Sequence, residues 1–288
     1  MRILIPLLLA LSPLPASAAQ IHDRPALWKV SDADTTIWLF GTIHLLKPEH
    51  VWLEGKVAKA FASAQELTIE TRIPDAATAQ EVILRHAIDP AGKTLASKLP
   101  AELQTRLLAK LATFGMPPEL IKNAEPWYAS MMVQILAYQK LGMSADGGVD
   151  VTLMARAEQA HQKIVPLEGF EEQIGFFDAM PEPLQIALLK ATLDEVDGSA
   201  VVLDKMVKAW SKGDVGALAK LINEDLEQFA ELRAILLDQR NAHWADWIAK
   251  RLDTPGTVFL AVGAGHLGGK NNVRALLEAK GFKVERVQ

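Results

Sequence analysis

The rhythm of apolar positions changes along the chain and divides it into sheet and helix. Thr36-Ile37-Trp38-Leu39-Phe40 is a β-branched and aromatic run that reads as a buried strand ending at Gly41. From Pro48 to Ala64 the apolar residues Val51, Val57, Ala60 and Phe61 recur at helical spacing, and Leu67-Thr68-Ile69-Glu70 then reads as a second strand. Strand, turn, helix and strand in that order seed a parallel sheet. From about residue 76 to 146 the periodicity is helical almost throughout, with breaks at Asp89-Pro90, Leu99-Pro100, Gly115 to Pro118 and Glu125-Pro126. Residues 147–160 predict a further helix, Lys163 to Leu167 a short strand ending at Glu168, and residues 181–252 a second long helical stretch. The sheet resumes at Thr257-Val258-Phe259-Leu260-Ala261-Val262, followed by a helix from about Asn271 to Lys280 and a closing strand from Phe282 to Val287. The expected fold is α/β: one domain over 20–288, a central and mostly parallel sheet of two similar halves, with helical insertions at about 76–146 and 181–252.

The two ends of the mature chain rhyme. Thr36 to His44 and Val258 to His266 both run strand, Gly, two residues, His, and then Leu. Ligands of open α/β sheets bind beyond the carboxyl ends of the strands, so matching turns side by side would make one site there. Coincidence between two ordinary buried strands is the plainer alternative, and the repeated histidine at a tight strand end weighs against it.

Composition narrows the setting. Half of the 288 residues are apolar and 23% are charged, enough for one sizeable core. A formal net charge of −5 without a Lys/Arg cluster argues against a nucleic-acid surface. Arg2, the apolar run Ile3 to Leu11 and Ala16-Ser17-Ala18 have the form of a signal peptide cleaved after Ala18 or Ala19, so the mature protein is expected to be periplasmic or secreted. The run is shorter than the roughly 20 residues that span a bilayer, and no second such run follows. With no cysteine, disulfides, thiolate ligands and cysteine nucleophiles are all excluded.

Singly, each of His44 and His266 reads as a hydrogen-bonded partner of the backbone. Together at one sheet edge, with Glu70 at the end of an adjacent strand, two imidazoles and a carboxylate suit Zn²⁺, Mn²⁺, Fe²⁺ or Co²⁺ and a metal-bound water. The glycine three residues before each histidine lets the backbone turn sharply and approach a bound group. Glu168 is either a further ligand or general base, or a helix-capping carboxylate ahead of Gly169. Arg240 and Asn241 form another candidate pair, able to orient a carbonyl and to donate to an oxyanion. The same stretch also reads as an amphipathic helix with Trp244 and Trp247 in the core and Arg240 paired at the surface.

Gly263, Gly265 and Gly268 spell G-x-G-x-x-G, with Glu285 about 20 residues on as in a dinucleotide fingerprint. Only three residues follow Glu285, which leaves no room for the rest of a mononucleotide-binding half. H-E-x-x-H, G-x-S-x-G and the phosphate-binding G-x-x-x-x-G-K-[ST] are absent from the sequence.

Leu27 to Val30, Thr36 to His44, Leu67 to Glu70, Gly148-Val149-Asp150, Leu167-Glu168 with Gln173, Ala209-Trp210 with Gly213-Asp214, Arg240-Asn241 and Val262 to Leu267 resemble, in order, the TraB/GumN/PrgY family. The resemblance spans nearly the whole mature chain. It implies kinship with the Tiki metalloproteases, in which two Gly-x-x-His motifs and a Glu form a Mn²⁺ or Co²⁺ protease site; those residues are His44, His266 and Glu70 here. A more distant similarity to erythromycin-esterase and ChaN-like folds implies an α/β core with helical additions. Two expectations follow. One is an exported metal-dependent hydrolase, a peptidase in particular, with Glu70, Glu168, Arg240 and Asn241 as catalytic residues, a peptide or small-molecule substrate, and Mn, Co or Zn as the ion. The other is a non-catalytic periplasmic binder that sequesters a small ligand or peptide signal in the same cleft.

Overall fold

The five predicted strands and one not read from the periodicity, Leu27–Ser31, pair into a single six-stranded sheet in the computed structural model, which describes residues 20–143, 147–227 and 229–288. The expected export signal lies outside the described residues. In chain order the first elements are β1 (Ile21–His22), β2 (Leu27–Ser31), β3 (Thr35–Thr42), β4 (His50–Val51), α1 (Gly55–Ser63) and β5 (Glu66–Thr71). The first helical insertion holds α2 (Ala76–Ala87), α3 (Leu95–Lys98), α4 (Ala101–Thr113) and α5 (Pro126–Lys140). Then come α6 (Val149–Gln159), β6 (Lys163–Glu168) and α7 (Phe170–Asp178). The second insertion holds α8 (Glu182–Glu195), α9 (Ser199–Ser211), α10 (Val215–Glu227), α11 (Ala230–Arg233), a π-helical turn (Ala234–Asp238) and α12 (Gln239–Leu252). The chain closes with β7 (Gly256–Gly263), a 3₁₀ turn (Ala264–Leu267), α13 (Val273–Ala279) and β8 (Val284–Arg286).

The strand order is β6-β5-β7-β3-β2-β8. The first four are mutually parallel, and β2 runs antiparallel to both β3 and β8. Antiparallel β2 enters β3 through a short turn in which Asp32 Oδ1 accepts the N–H groups of Asp34 and Thr35 at 3.1 and 2.8 Å. The pairing corrects two boundaries read from periodicity. The helix expected from Pro48 begins only at Gly55, because His50 and Val51 pair with Ile21 and His22 in a separate two-stranded ladder. The closing strand is trimmed to the three residues that reach β2.

Side chains of β3 and β7 alternate between two apolar layers, which is why both strands read as almost unbroken hydrophobic runs. On one face Ile37, Leu39, Val258, Leu260 and Val262 pack under Trp244, Ala245 and Ile248 of α12 and Val273 and Leu277 of α13. On the other face Phe40, Phe259 and Ala261 pack against α1, α6 and α9 through residues such as Phe61, Leu153 and Trp210. Each large side chain taken out of water here contributes roughly 1.5–3 kcal/mol. Helices α4, α5 and α8 bury Leu103, Leu107, Val133 and Leu189 in a core of their own. Among the described residues no helix is long and apolar enough to cross a membrane.

Candidate functional site

The four parallel strands deliver their C-terminal ends to one edge. Glu168 is the last residue of β6, Glu70 lies one residue before the end of β5, and His266 and His44 follow the ends of β7 and β3. The register pairs Thr42 with Gly263 and Gly41 with Val262, so the two Gly-x-x-His turns leave the sheet from adjacent strands, offset by one residue.

The two glycines act through closeness. Neither has a positive φ, so the sharp turn expected of them is not their function. A Cβ on Gly41 would sit 3.0 Å from the Cβ of Ala264 in the other turn, and one on Gly263 would sit 3.0 Å from Glu70 Oε1. That room lets Gly263 donate its N–H to Glu70 Oε1 at 2.6 Å. The Gly41 carbonyl accepts the indole N–H of Trp210 at 2.8 Å. Gly265 and Gly268 lie against Ile222, Val215 and Ala219 of α10, so these glycines admit a packed helix.

Arg240 reaches the edge from α12, immediately after the π-helical turn. Such a turn adds a residue to the helical register and re-aims the side chains that follow. Arg240 and Asn241 are 7% and 1% exposed, which excludes the surface-paired reading of the arginine. The guanidinium grips Glu168 from two nitrogens, with Nε to Oε1 at 2.8 Å and Nη2 to Oε2 at 2.7 Å. Nη2 also donates to Glu70 Oε2 at 2.8 Å, and Nη1 donates to the Leu236 carbonyl, within the π turn, at 3.1 Å. The faces of Trp244 and Phe176 lie 4.7 and 5.6 Å from the guanidinium carbon.

His266 is 6% exposed, with its ring centroid 4.4 Å from that of Trp244. The Trp244 Nε1 finds no acceptor among the described residues. Asn241 gives its Nδ2 to the Asn271 carbonyl at 2.9 Å, so its Oδ1 accepts the Nδ1–H of His266 at 2.7 Å. That fixes the tautomer: Nε2 carries the lone pair, 3.3 Å from Arg240 Nη1 and 3.8 Å from Glu70 Oε1. Burial, helped by the Arg240 and His44 charges, pushes the His266 pKa down to about 4 against the pull of Glu70. Burial alone would raise the Glu70 carboxyl. The neighbouring His266 ring, then Arg240, His44 and the Gly263 N–H outweigh that and hold it at about 2. Glu168 is raised by burial, with Arg240 opposing.

His44 is the exposed member, its side chain 69% accessible. Its Nδ1 lies 3.1 Å from Asp150 Oδ1, in the first turn of α6, which the Val149 N–H anchors to the Ile43 carbonyl at 3.0 Å. The hydrogen bond that His44 donates to Asp150, with the charges of Asp150 and Glu70, raises His44 to about 9. Its charge is also felt by His266 and Glu70, so both imidazoles belong to one electrostatic cluster.

Among the described residues no three His, Asp or Glu side chains stand at ion-holding spacing; Arg240 draws Glu70 Oε2 and Glu168 to itself. The chemistry of the donor set nevertheless suits a divalent ion. Each imidazole has its Nδ1 tied to an oxygen acceptor, the usual outer-shell support of a metal-bound histidine, and Glu70 is ionised.

Of the residues singled out from sequence, Glu70, Glu168, Arg240, Asn241 and His266 are joined by direct contacts, and His44, at the end of the adjacent strand, is linked to them through its charge. The structure adds partners that sequence reasoning did not assign to the site. Asp150 holds His44, and Gln173 donates to Glu70 Oε2 at 3.3 Å. Both residues stand in the motifs that carry the family resemblance, Gly148-Val149-Asp150 and Leu167-Glu168 with Gln173, but the motifs alone assign them no role.

The TraB/PrgY/gumN family profile matches residues 26–286. The chain is 30% identical to YbaP of Escherichia coli (strain K12) over 243 residues, 83% of this chain and 86% of YbaP. It is 23% identical over 344 aligned positions to a "Metalloprotease TIKI homolog" of Amphimedon queenslandica, covering 99% of this chain and 67% of the relative. A protein of Treponema pallidum (strain Nichols) is 21% identical over 272 residues, 88% of this chain and 80% of its own. No solved structure matches.

Proposed function

This chain belongs to the TraB/PrgY/gumN family, and from that membership and the geometry of the strand edge we propose that it is an exported, divalent-metal-dependent hydrolase acting on peptides. The carrying observation is the fixed, neutral His266, whose Nε2 faces the ionised Glu70 while His44 stands at the end of the neighbouring strand. The similarity to a metalloprotease homolog supports the same class. His44, His266 and Glu70 would hold the ion, taken as Mn²⁺, Co²⁺ or Zn²⁺. Bound there, it would lower the pKa of a water and polarise a carbonyl.

The remaining work falls to the chain's own side chains. Asn241 keeps the lone pair of His266 on Nε2, and Asp150 does the same for His44 once that ring loses its proton. Arg240 keeps Glu70 ionised and, placed beside His266, offers positive charge to an oxyanion. Glu168 has both oxygens engaged by Arg240, so we assign it the orientation of that arginine rather than proton transfer.

The test is metal analysis of protein purified without chelators, then cleavage of a peptide mixture with Mn²⁺, Co²⁺ or Zn²⁺ by wild type and His44→Ala. Metal-stimulated cleavage lost in the variant is the expected result. Absence of both bound metal and metal-stimulated cleavage would overturn the proposal.

A further inference from the structure

A cavity of about 170 Å³ opens beside the Glu168–Arg240 pair, between α7 and α12. Half of its lining is polar, and its apolar walls are Leu167, Phe176, Ile235, Trp244 and Trp247. All but Trp244 are only half-buried, so this apolar surface faces an open space. Two of its lining residues are the site's own, since Arg240 also touches Glu70 and His266. The cavity is thus one side chain away from the strand edge.

Size and charge choose the occupant. An apolar cavity of about 150 Å³ accommodates a benzene, so this one admits a single phenyl or isobutyl group and no larger ring system. The aromatic walls do not call for a cation, because the Arg240 guanidinium already lies over Trp244 and Phe176. Of the two lining carboxylates Glu168 is paired with Arg240, and Glu172, which accepts the Gly169 N–H at 3.1 Å, is exposed, so solvent and salt screen it. A neutral apolar group gains most, at about 25 cal/mol for each Å² removed from water.

We propose that this cavity is a specificity subsite that takes one phenylalanine- or leucine-sized side chain of a peptide held at the His44, Glu70 and His266 edge. The assignment to a peptide substrate rests on the hydrolase reading; the preference for a neutral apolar group does not. Trp247 and Gln239 are its determinants, the first as a wall and the second as an exposed residue on the lining.

Saturation-transfer NMR on the whole protein tests it, with N-acetyl-phenylalaninamide, N-acetyl-leucinamide, N-acetyl-alaninamide and N-acetyl-lysinamide as probes. The first two should bind at least tenfold more tightly than the others. Gln239→Trp, which fills the cavity from its rim, should abolish that preference, and Trp247→Ala should reduce it. Equal binding of all four probes, or a preference untouched by both variants, overturns the subsite. Because the readout is binding, the two proposals fail separately. A protein that binds the phenyl probe but cleaves no peptide with any metal loses only the hydrolase reading, and one that cleaves peptides without the preference loses only the subsite.

Discussion

The Nδ1 of His266 lies 2.7 Å from Oδ1 of Asn241, an asparagine whose other terminus is committed to the carbonyl of Asn271. This ties ring orientation and tautomer to a helix on one face of the sheet. Asn241→Ala should free the ring to flip and exchange tautomers. Outer-shell losses of this kind weaken metal binding by roughly 10–100-fold. Competition with a chelator for Co²⁺ or Mn²⁺ reads the effect, and an unchanged affinity would remove Asn241 from the site.

Arg240 stands between two buried carboxylates, so deleting it leaves both without their cation. Removing one partner of a buried pair costs about 3–5 kcal/mol. Arg240→Met should therefore lower the denaturant midpoint, and Arg240→Met with Glu168→Gln should recover part of the loss. A double variant as unstable as the sum of its parts would mean that the two side chains do not interact.

The acid side of the stability curve should carry the signature of His266. Its folded pKa, about 4, lies below the 6.5 of the free side chain. Between these values the unfolded chain binds a proton that the native one refuses, so stability falls as pH drops through that window. Glu70, lowered from 4.5 to about 2, extends the loss further, since its contribution is present above pH 4.5 and disappears as pH falls through 2. Urea titrations of wild type and His266→Gln between pH 7 and 4 compare the slopes, and the variant should show the flatter one.

His44 shifts the other way. Its folded pKa, about 9, exceeds 6.5, so the stabilisation from Asp150 is complete below pH 6.5 and is lost as pH rises through 9. The ring is mostly exposed and the pair is screened, so the energy is small and the titration itself is the better readout. In metal-free protein, the NMR midpoint of His44 should fall towards 6.5 in Asp150→Asn. An identical midpoint in wild type and variant would dissolve the pairing.

Gly41→Ala places a methyl group against Ala264 of the neighbouring turn. Overpacking of a fitted contact costs typically 1–3 kcal/mol, and here the strain falls between the two histidine turns. Tm should drop, and any metal-dependent activity should drop further than the stability loss explains. Unaltered Tm and activity would mean that the turns tolerate separation.

The site was legible where it depends on strand ends. Gly41 to His44 and Gly263 to His266 terminate runs whose apolar pattern is strong, and Glu70 and Glu168 close two more, so placing the strands side by side collected four of the six candidates. Arg240 was harder, because a cation on a helix with two tryptophans fits a surface pair as well as a buried clamp. It follows directly on a π-helical turn, and one extra residue in a helix leaves no mark on an amphipathic pattern. Asp150 depends on a contact 106 residues away from its partner, which no local rhythm encodes. The short ladder of Ile21 and His22 with His50 and Val51 was invisible for a similar reason, its segments being too brief to show alternation.

The one-residue stagger between the strands means that the repeated tetrapeptide is a repeated word without a repeated meaning. Gly41 lies opposite Val262, not opposite Gly263, so each copy looks onto different neighbours: one imidazole is enclosed and uncharged, the other open to solvent and cationic. Exchanging the two segments, identical though their signature is, would put each ring in surroundings built for its counterpart. What looks like one turn used twice is two turns in unlike surroundings.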